Sequence, residues 1–94
     1  MKIEHKEQQT KGAFEAFDGE TKMGEMTYSK AGSEMIIIDH TFVDEAFRGQ
    51  NIARRLLDAT VGYARNSGLK IKPLCPYAKR VMEKEREPFK DVIA

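Results

Sequence analysis

Arg48, Gly49, Asn51 and Arg54 lie in the run Val43-Asp44-Glu45-Ala46-Phe47-Arg48-Gly49-Gln50-Asn51-Ile52-Ala53-Arg54, and their types and spacing suit one task, the binding of a phosphate. A loop that enters a helix presents backbone N–H groups with no intrahelical carbonyl to bond, and the helix dipole adds positive potential at the same end. Gly49 lets the backbone approach a ligand closely, and Asn51 is one of the few non-glycine residues that accept a left-handed conformation. Arg48 and Arg54 place cations where a bare helix start favours carboxylates, so the arrangement makes sense with an anion beside it. The competing reading is an ordinary loop with surface arginines, because a short glycine-containing loop before a helix is common.

Two further side chains can do chemistry. Cys75 stands directly before Pro76 at an expected helix N-terminus, where the dipole stabilises negative charge on sulfur, so its thiol is a candidate nucleophile. A small buried hydrophobe is the competing reading. His40 ends an apolar run, and imidazole is the side chain that exchanges a proton near neutral pH; otherwise it is a histidine satisfied by a backbone hydrogen bond at a strand end. If adjacent parallel strands bring His40 and Cys75 to one edge of a sheet, the two would act as base and nucleophile. His5 has no such context and reads as a surface residue.

The elements that must position these groups follow from the hydrophobic period. Ile3 opens a short strand, Lys11 to Phe17 a second that runs into the Asp18-Gly19 turn, and Lys22 to Tyr28 a third. Phe14 and Phe17 are three apart, which leaves open either a bulge or a helical stretch. Met35-Ile36-Ile37-Ile38 is an unbroken apolar run suited to a central strand buried on both faces. From Ile52 the period changes to that of an amphipathic helix, with Ile52, Leu56, Ala59 and Tyr63 on one side and Arg54, Arg55, Asp58 and Arg65 on the other. Gly68 stops it. Leu69 to Lys72 alternates as a strand, and Pro76 opens a second helix that Pro88 limits to about Glu87. A right-handed crossover then places Leu69 to Lys72 parallel to Glu34 to Val43. The expected fold is therefore α/β in the α+β sense: a mixed, mostly antiparallel sheet with two helices, forming a single domain over residues 1–94.

Sixteen Lys and Arg against fifteen Asp and Glu give a net charge of +1, far from the balance of a nucleic-acid-coating domain. The basic stretch Lys70, Lys72, Lys79, Arg80 and Lys84 reads first as a solvated face, second as a contact for a ligand's phosphate and third for nucleic acid. One cysteine permits no internal disulfide, the N-terminus lacks a signal-peptide core, and the apolar runs are too short to cross a bilayer. A cytoplasmic protein is expected, with no nucleic-acid or membrane partner, and a monomer or weak homodimer given its small core.

Arg48-Gly49-Gln50-Asn51-Ile52-Ala53 resembles the pyrophosphate loop of the Gcn5-related N-acetyltransferases, whose pattern is Arg or Gln, two residues, Gly, one residue, then Gly or Ala. Arg48 and Ala53 match, and Asn51 stands where glycine is usual. With His40-Thr41-Phe42-Val43 before it and Leu74-Cys75-Pro76-Tyr77 after Gly68, residues 34 to 82 are similar to the small, stand-alone YjdJ-type branch of that superfamily, which lacks much of the acceptor-binding N-terminal part of larger members. The resemblance implies that acetyl-coenzyme A is the acetyl donor and an unidentified amine the acceptor. It further implies pyrophosphate contacts from Arg48, Gly49, Gln50, Asn51, Ile52 and Ala53, with Arg54 close by, and pantetheine along Phe42 and Val43. Cys75 and His40 would then be catalytic, with Cys75 taking the acetyl group covalently. Tyr77 becomes a candidate proton donor to the coenzyme thiolate, set against simple packing on the sheet. A module that binds coenzyme A without efficient turnover is the alternative.

Overall fold

The computed structural model describes residues 1–94. Five strands, β1 (Lys2–Glu7), β2 (Lys11–Asp18), β3 (Thr21–Ala31), β4 (Met35–Val43) and β5 (Lys70–Pro73), form one sheet in the order β1-β2-β3-β4-β5. The first three junctions are antiparallel, and β5 joins β4 in parallel from Met35↔Lys70 to Ile38↔Pro73. Helix α1 (Ile52–Ser67) makes the crossover, and α2 (Pro76–Lys84) and α3 (Arg86–Phe89) follow β5. This is the mixed, mostly antiparallel α+β fold that the order of periodicities implies.

One hydrophobic core lies between the sheet and the helices. Ile52, Leu56, Leu57, Val61 and Ala64 of α1 meet Phe14, Met26, Tyr28, Ile36, Ile38 and Ile71 of the sheet, and Ala78, Met82 and Phe89 join the same cluster. Burying a residue of this size contributes about 1.5–3 kcal/mol each, which makes this face the main source of stability. The other face of the sheet carries no helix. There Lys6 pairs with Glu15 at 3.2 Å, Lys22 with Glu15 at 3.0 Å, and Ser29 donates to Asp39 at 2.6 Å. The central strand is therefore not buried on both faces: Ile36 and Ile38 are buried, while Ile37 is half-exposed. A β-branched run suits the middle of a one-sided sheet as well as a two-sided one, so its apolar character does not reveal the missing layer.

Two irregularities set where side chains point. A bulge between Ala16 and Phe17 accounts for the odd spacing of Phe14 and Phe17, so no helical stretch intervenes. A second shifts the β3–β4 register: Tyr28 opposes Ile38 but Thr27 opposes His40, leaving Asp39 without a partner. Beyond it the alternation of β4 is reset by one residue.

The C-terminal segment departs from expectation. A third helix is present, and Pro88 lies inside it rather than beyond a helix end. Pro88 occupies the first turn, where its missing N–H has no intrahelical acceptor to lose. The chain then returns to the outer edge of β5, where Ile71 N–H donates to Val92 O at 2.6 Å and Ala94 N–H to Ile71 O at 2.8 Å. That covers one of the two sheet edges. No helix is long and apolar enough to cross a membrane.

Candidate active site

The loop between β4 and α1 carries the densest set of free donors. Asp44 accepts from Ala46 N–H at 2.9 Å and opens a 3-10 turn over Glu45–Phe47. Gly49 then takes φ +85° and Asn51 φ +62°, both left-handed, so the chain wraps around a small concavity before α1 begins. Asn51 is the only non-glycine residue at positive φ, and its side chain makes no capping bond. The first backbone bond of the helix runs from Arg55 N–H to Asn51 O at 3.2 Å. The amides of Gly49, Gln50, Asn51, Ile52, Ala53 and Arg54 consequently donate to no protein acceptor. They open into a cleft of about 410 Å³ lined by Val43, Phe47, Arg48, Gly49, Asn51, Ile52, Ala53, Arg54 and Tyr77. Its size lies within the range of small-molecule sites. A diphosphate fits this surface on two counts, because the donors are unspent and the helix dipole favours an anion there.

Arg48 is exposed at the rim of the cleft and forms no ion pair. Arg54 behaves differently. Its guanidinium is held by Glu85, at 2.8 and 3.0 Å through both terminal nitrogens, and by Asp58 at 3.0 Å through Nε. The Arg54 side chain is thus paired with two carboxylates of the protein, while its amide stands among the unspent donors at the start of α1.

The gap beside the cradle arises where β4 outruns β5. Leu74 and Cys75 N–H both donate to Ile38 O, at 3.1 and 3.0 Å, and the chain then leaves the sheet. Past that point the β4 backbone faces no strand on this side. Asp44 N–H donates to Met23 O at 2.7 Å, which makes Gly24–Val43 and Met26–Thr41 the non-hydrogen-bonded pairs of the antiparallel ladder. The polar backbone groups of Thr41 and Val43 therefore point into the gap, available to an extended amide-bearing chain. Phe42 at the end of β4 and Leu74 just after β5 are 49 % and 56 % exposed.

Cys75 is buried at 2 % exposure and caps α2, with its sulfur accepting from Ala78 N–H at 3.4 Å. Its other neighbour is the Thr41 hydroxyl, 3.0 Å from Sγ. His40 does not join them. The bulge at Asp39 pairs His40 with Thr27 on the helix-free face, where it is exposed, and turns Thr41 toward the helices. The expected His40–Cys75 couple is thus replaced by Thr41 and Cys75, with His40 on the opposite face of the sheet. No residue type in the sequence announces that bulge, so Thr41 could not be singled out beforehand. Tyr77 lines the cleft, and burial raises its phenol above the ordinary value, which keeps it protonated.

His5 is an exposed residue, as expected, but it has partners. Its ring stacks on Phe14 with centroids 4.1 Å apart, and Nε2 lies 2.7 Å from Tyr28 Oη. A second hollow of about 470 Å³, lined by Lys6, Gln8, Lys11, Glu15, Thr27 and Asp39 among others, lies on the helix-free face. Lys6 is paired with Glu15 and Asp39 accepts from Ser29, and we assign the hollow no ligand.

The sequence model of the GCN5-related N-acetyl-transferases matches residues 13–92. The chain belongs to that family. Among solved structures, this family member is 34 % identical to a GCN5-like protein of Staphylococcus aureus, with a TM-score of 0.70 over 97 % of this chain and 87 % of that one. A ribosomal-protein-alanine N-acetyltransferase from Brucella melitensis shares the fold at 22 % identity and TM-score 0.66, over 93 % of this chain and 64 % of that one. An aminoglycoside N-acetyltransferase solved with coenzyme A shares it at 16 % identity and TM-score 0.61, over 82 % and 67 %. The chain thus spans about two thirds of the length of these two larger acetyltransferases. Comparison with curated protein sequences gives no match.

Proposed function

We propose that this acetyltransferase-family domain binds acetyl-coenzyme A and transfers its acetyl group to an amine. One observation carries the reading: the row of unspent amides from Gly49 to Arg54, at the start of α1, opening beside the gap between β4 and β5. The pyrophosphate would take those amides with Arg48 at the rim, and the pantetheine amides would pair with Thr41 and Val43 beside Phe42. The aminoglycoside acetyltransferase that shares the fold was solved with coenzyme A, which supports the same donor here.

In the covalent route the Cys75 thiolate attacks the thioester carbonyl, a new S–C bond forms, and the C–S bond to the coenzyme breaks. The departing thiolate would take its proton from Tyr77, which lines the cleft and which burial keeps protonated at neutral pH. The amine then attacks acetyl-Cys75, the amide forms and the Cys75 sulfur is released. The proton that the amine gives up returns to the Tyr77 phenolate left by the first step, and His40, on the opposite face of the sheet, takes no part in this route.

The second reading is a coenzyme-binding module with little turnover. It is favoured by the burial of Cys75, whose sulfur already caps α2, and by the absence of a base next to it. Calorimetric titration with coenzyme A, followed by incubation with radiolabelled acetyl-coenzyme A and an amine library, decides between them. Binding with transfer supports the enzyme, binding without transfer the module, and no binding refutes both.

A further inference from the structure

We infer that Arg54 and Glu85 form a strut that sets the distance between the phosphate cradle and the Cys75 sulfur, so that Arg54 is a positioning residue and not a phosphate ligand. The inference rests on the coenzyme-binding reading above. Arg54 is in the first turn of α1, one residue beyond Ala53 of the cradle. Glu85 is the residue at which α2 ends and α3 begins, with φ −109° and ψ 61°. Two parallel bonds of 2.8 and 3.0 Å join them, Asp58 fixes the guanidinium from a third side at 3.0 Å, and the Phe89 ring lies 5.5 Å below it. A bidentate fork of this kind fixes direction as well as distance.

The geometry gives the strut a purpose. Helix α2 carries Cys75 at its N-cap and Tyr77 in its first turn, yet only Ala78 and Met82 of the helix are buried. Tyr77 and Val81 add partial packing against the core, so one face of the helix is held and its tilt depends on how its ends are tied. Its far end is tied to the start of α1 through Glu85, and a nine-residue helix transmits that tie along its length to Cys75. The pair also explains how an arginine is tolerated at the positive end of α1, since two carboxylates neutralise it before any ligand arrives.

The test uses Glu85→Gln and Arg54→Lys, each of which keeps the size and polarity of the site but loses the fork. Coenzyme A affinity is read by calorimetry, transfer by the kcat and KM for acetyl-coenzyme A, and Cys75 exposure by its rate of alkylation with iodoacetamide in the ligand-free protein. A strut predicts faster alkylation and a fall of about tenfold in kcat, with coenzyme affinity changed by less than about twofold, because misplacement of a reacting group by a fraction of an ångström costs rate more than binding. Tighter coenzyme binding in Glu85→Gln with unchanged alkylation would overturn it, showing Arg54 to be a phosphate ligand restrained by Glu85. Unchanged alkylation and kcat in both variants would equally overturn it, leaving an ordinary surface pair. The alkylation arm needs no coenzyme, so it reports on the strut even if the wild-type protein binds none, an outcome that refutes only the proposed function.

Discussion

The Thr41 hydroxyl lies 3.0 Å from Cys75 Sγ, across the point where β4 and β5 part. A one-residue bulge at Asp39 produces this contact, because it turns Thr41 rather than His40 toward the helices. The hydroxyl orients the sulfur and can donate to it once the thiol is ionised. Replacing Thr41 by Val keeps the shape and removes the hydrogen bond, so formation of acetyl-Cys75 is expected to slow by about tenfold, the worth of one such bond. Thr41→Ser should retain most of the rate. Mass spectrometry of Cys75 against time measures both; equal rates in Val and Ser variants would assign Thr41 to packing alone.

The cradle depends on two left-handed residues, and Asn51 is the less usual of them. Alanine at φ +62° brings Cβ toward the following carbonyl oxygen, at a cost of about 1–2 kcal/mol. Asn51→Ala is therefore expected to lower stability and weaken coenzyme A binding together, whereas Asn51→Gly should preserve both. Denaturant unfolding and calorimetry on the two variants give the comparison. If alanine binds as well as glycine, the loop does not need this geometry.

Arg48 is the cationic side chain at the rim of the cleft without an ion-pair partner, in contrast to Arg54. Arg48→Glu should weaken coenzyme A binding by about tenfold at low ionic strength, and less so in about 0.5 M salt, where exposed charges are screened more strongly. Titrations at two salt concentrations test this. A loss that does not depend on salt would point to a structural role for Arg48.

How much of this was legible in the residues follows from the kind of information each feature needs. The strand order, the amphipathic helix from Ile52 and the left-handed pair Gly49 and Asn51 depend on local sequence, and each is found where its pattern lies. The face to which His40 points depends on a cross-strand register shift, which leaves no trace in composition. The partners of Arg54 and His5, 31 and 23 residues away in sequence, depend on tertiary packing. Charge alone suggests Arg54 beside the phosphates, and its pairing with Glu85 and Asp58 is visible only in the folded structure.

His5 offers a pH-dependent check on that packing. Although His5 is exposed, partial desolvation of its ring beside Phe14 and Tyr28 lowers its folded-state value below the ordinary 6.5, with the Glu7 carboxylate opposing the shift and the Lys30 ammonium adding to it. Above pH 6.5 the ring is neutral in folded and unfolded chains alike. As pH falls through that value the unfolded chain binds a proton that the folded chain resists, so stability declines until folded His5 is itself protonated. Thermal unfolding between pH 7.5 and 5 should show a falling Tm that flattens in His5→Gln, whose amide can still reach Tyr28. Identical slopes in the two proteins would remove His5 from the account.

Glycine substitution separates close approach from mere flexibility at the edge of the site. A Cβ on Gly24 would lie 2.6 Å from Phe42 O and 3.2 Å from Val43 Cα, and both are backbone atoms that cannot rotate aside. Gly24→Ala should therefore push the end of β4 away from β3, at a cost of about 1–3 kcal/mol. That displacement falls on Phe42 and Val43, so coenzyme A affinity should drop with stability. Gly62 is the counterpart: it lies within α1 with open space for 4 Å around the position a Cβ would take, and alanine there gains helix propensity of about 0.5–1 kcal/mol. Urea unfolding should move the midpoint down for Gly24→Ala and up for Gly62→Ala, at constant slope, while Gly62→Ala leaves coenzyme A binding unchanged. If Gly24→Ala unfolds as the parent does, β3 and β4 are less closely paired beside the gap than the register Gly24↔Val43 implies, and the backbone donors of Val43 lose their fixed direction.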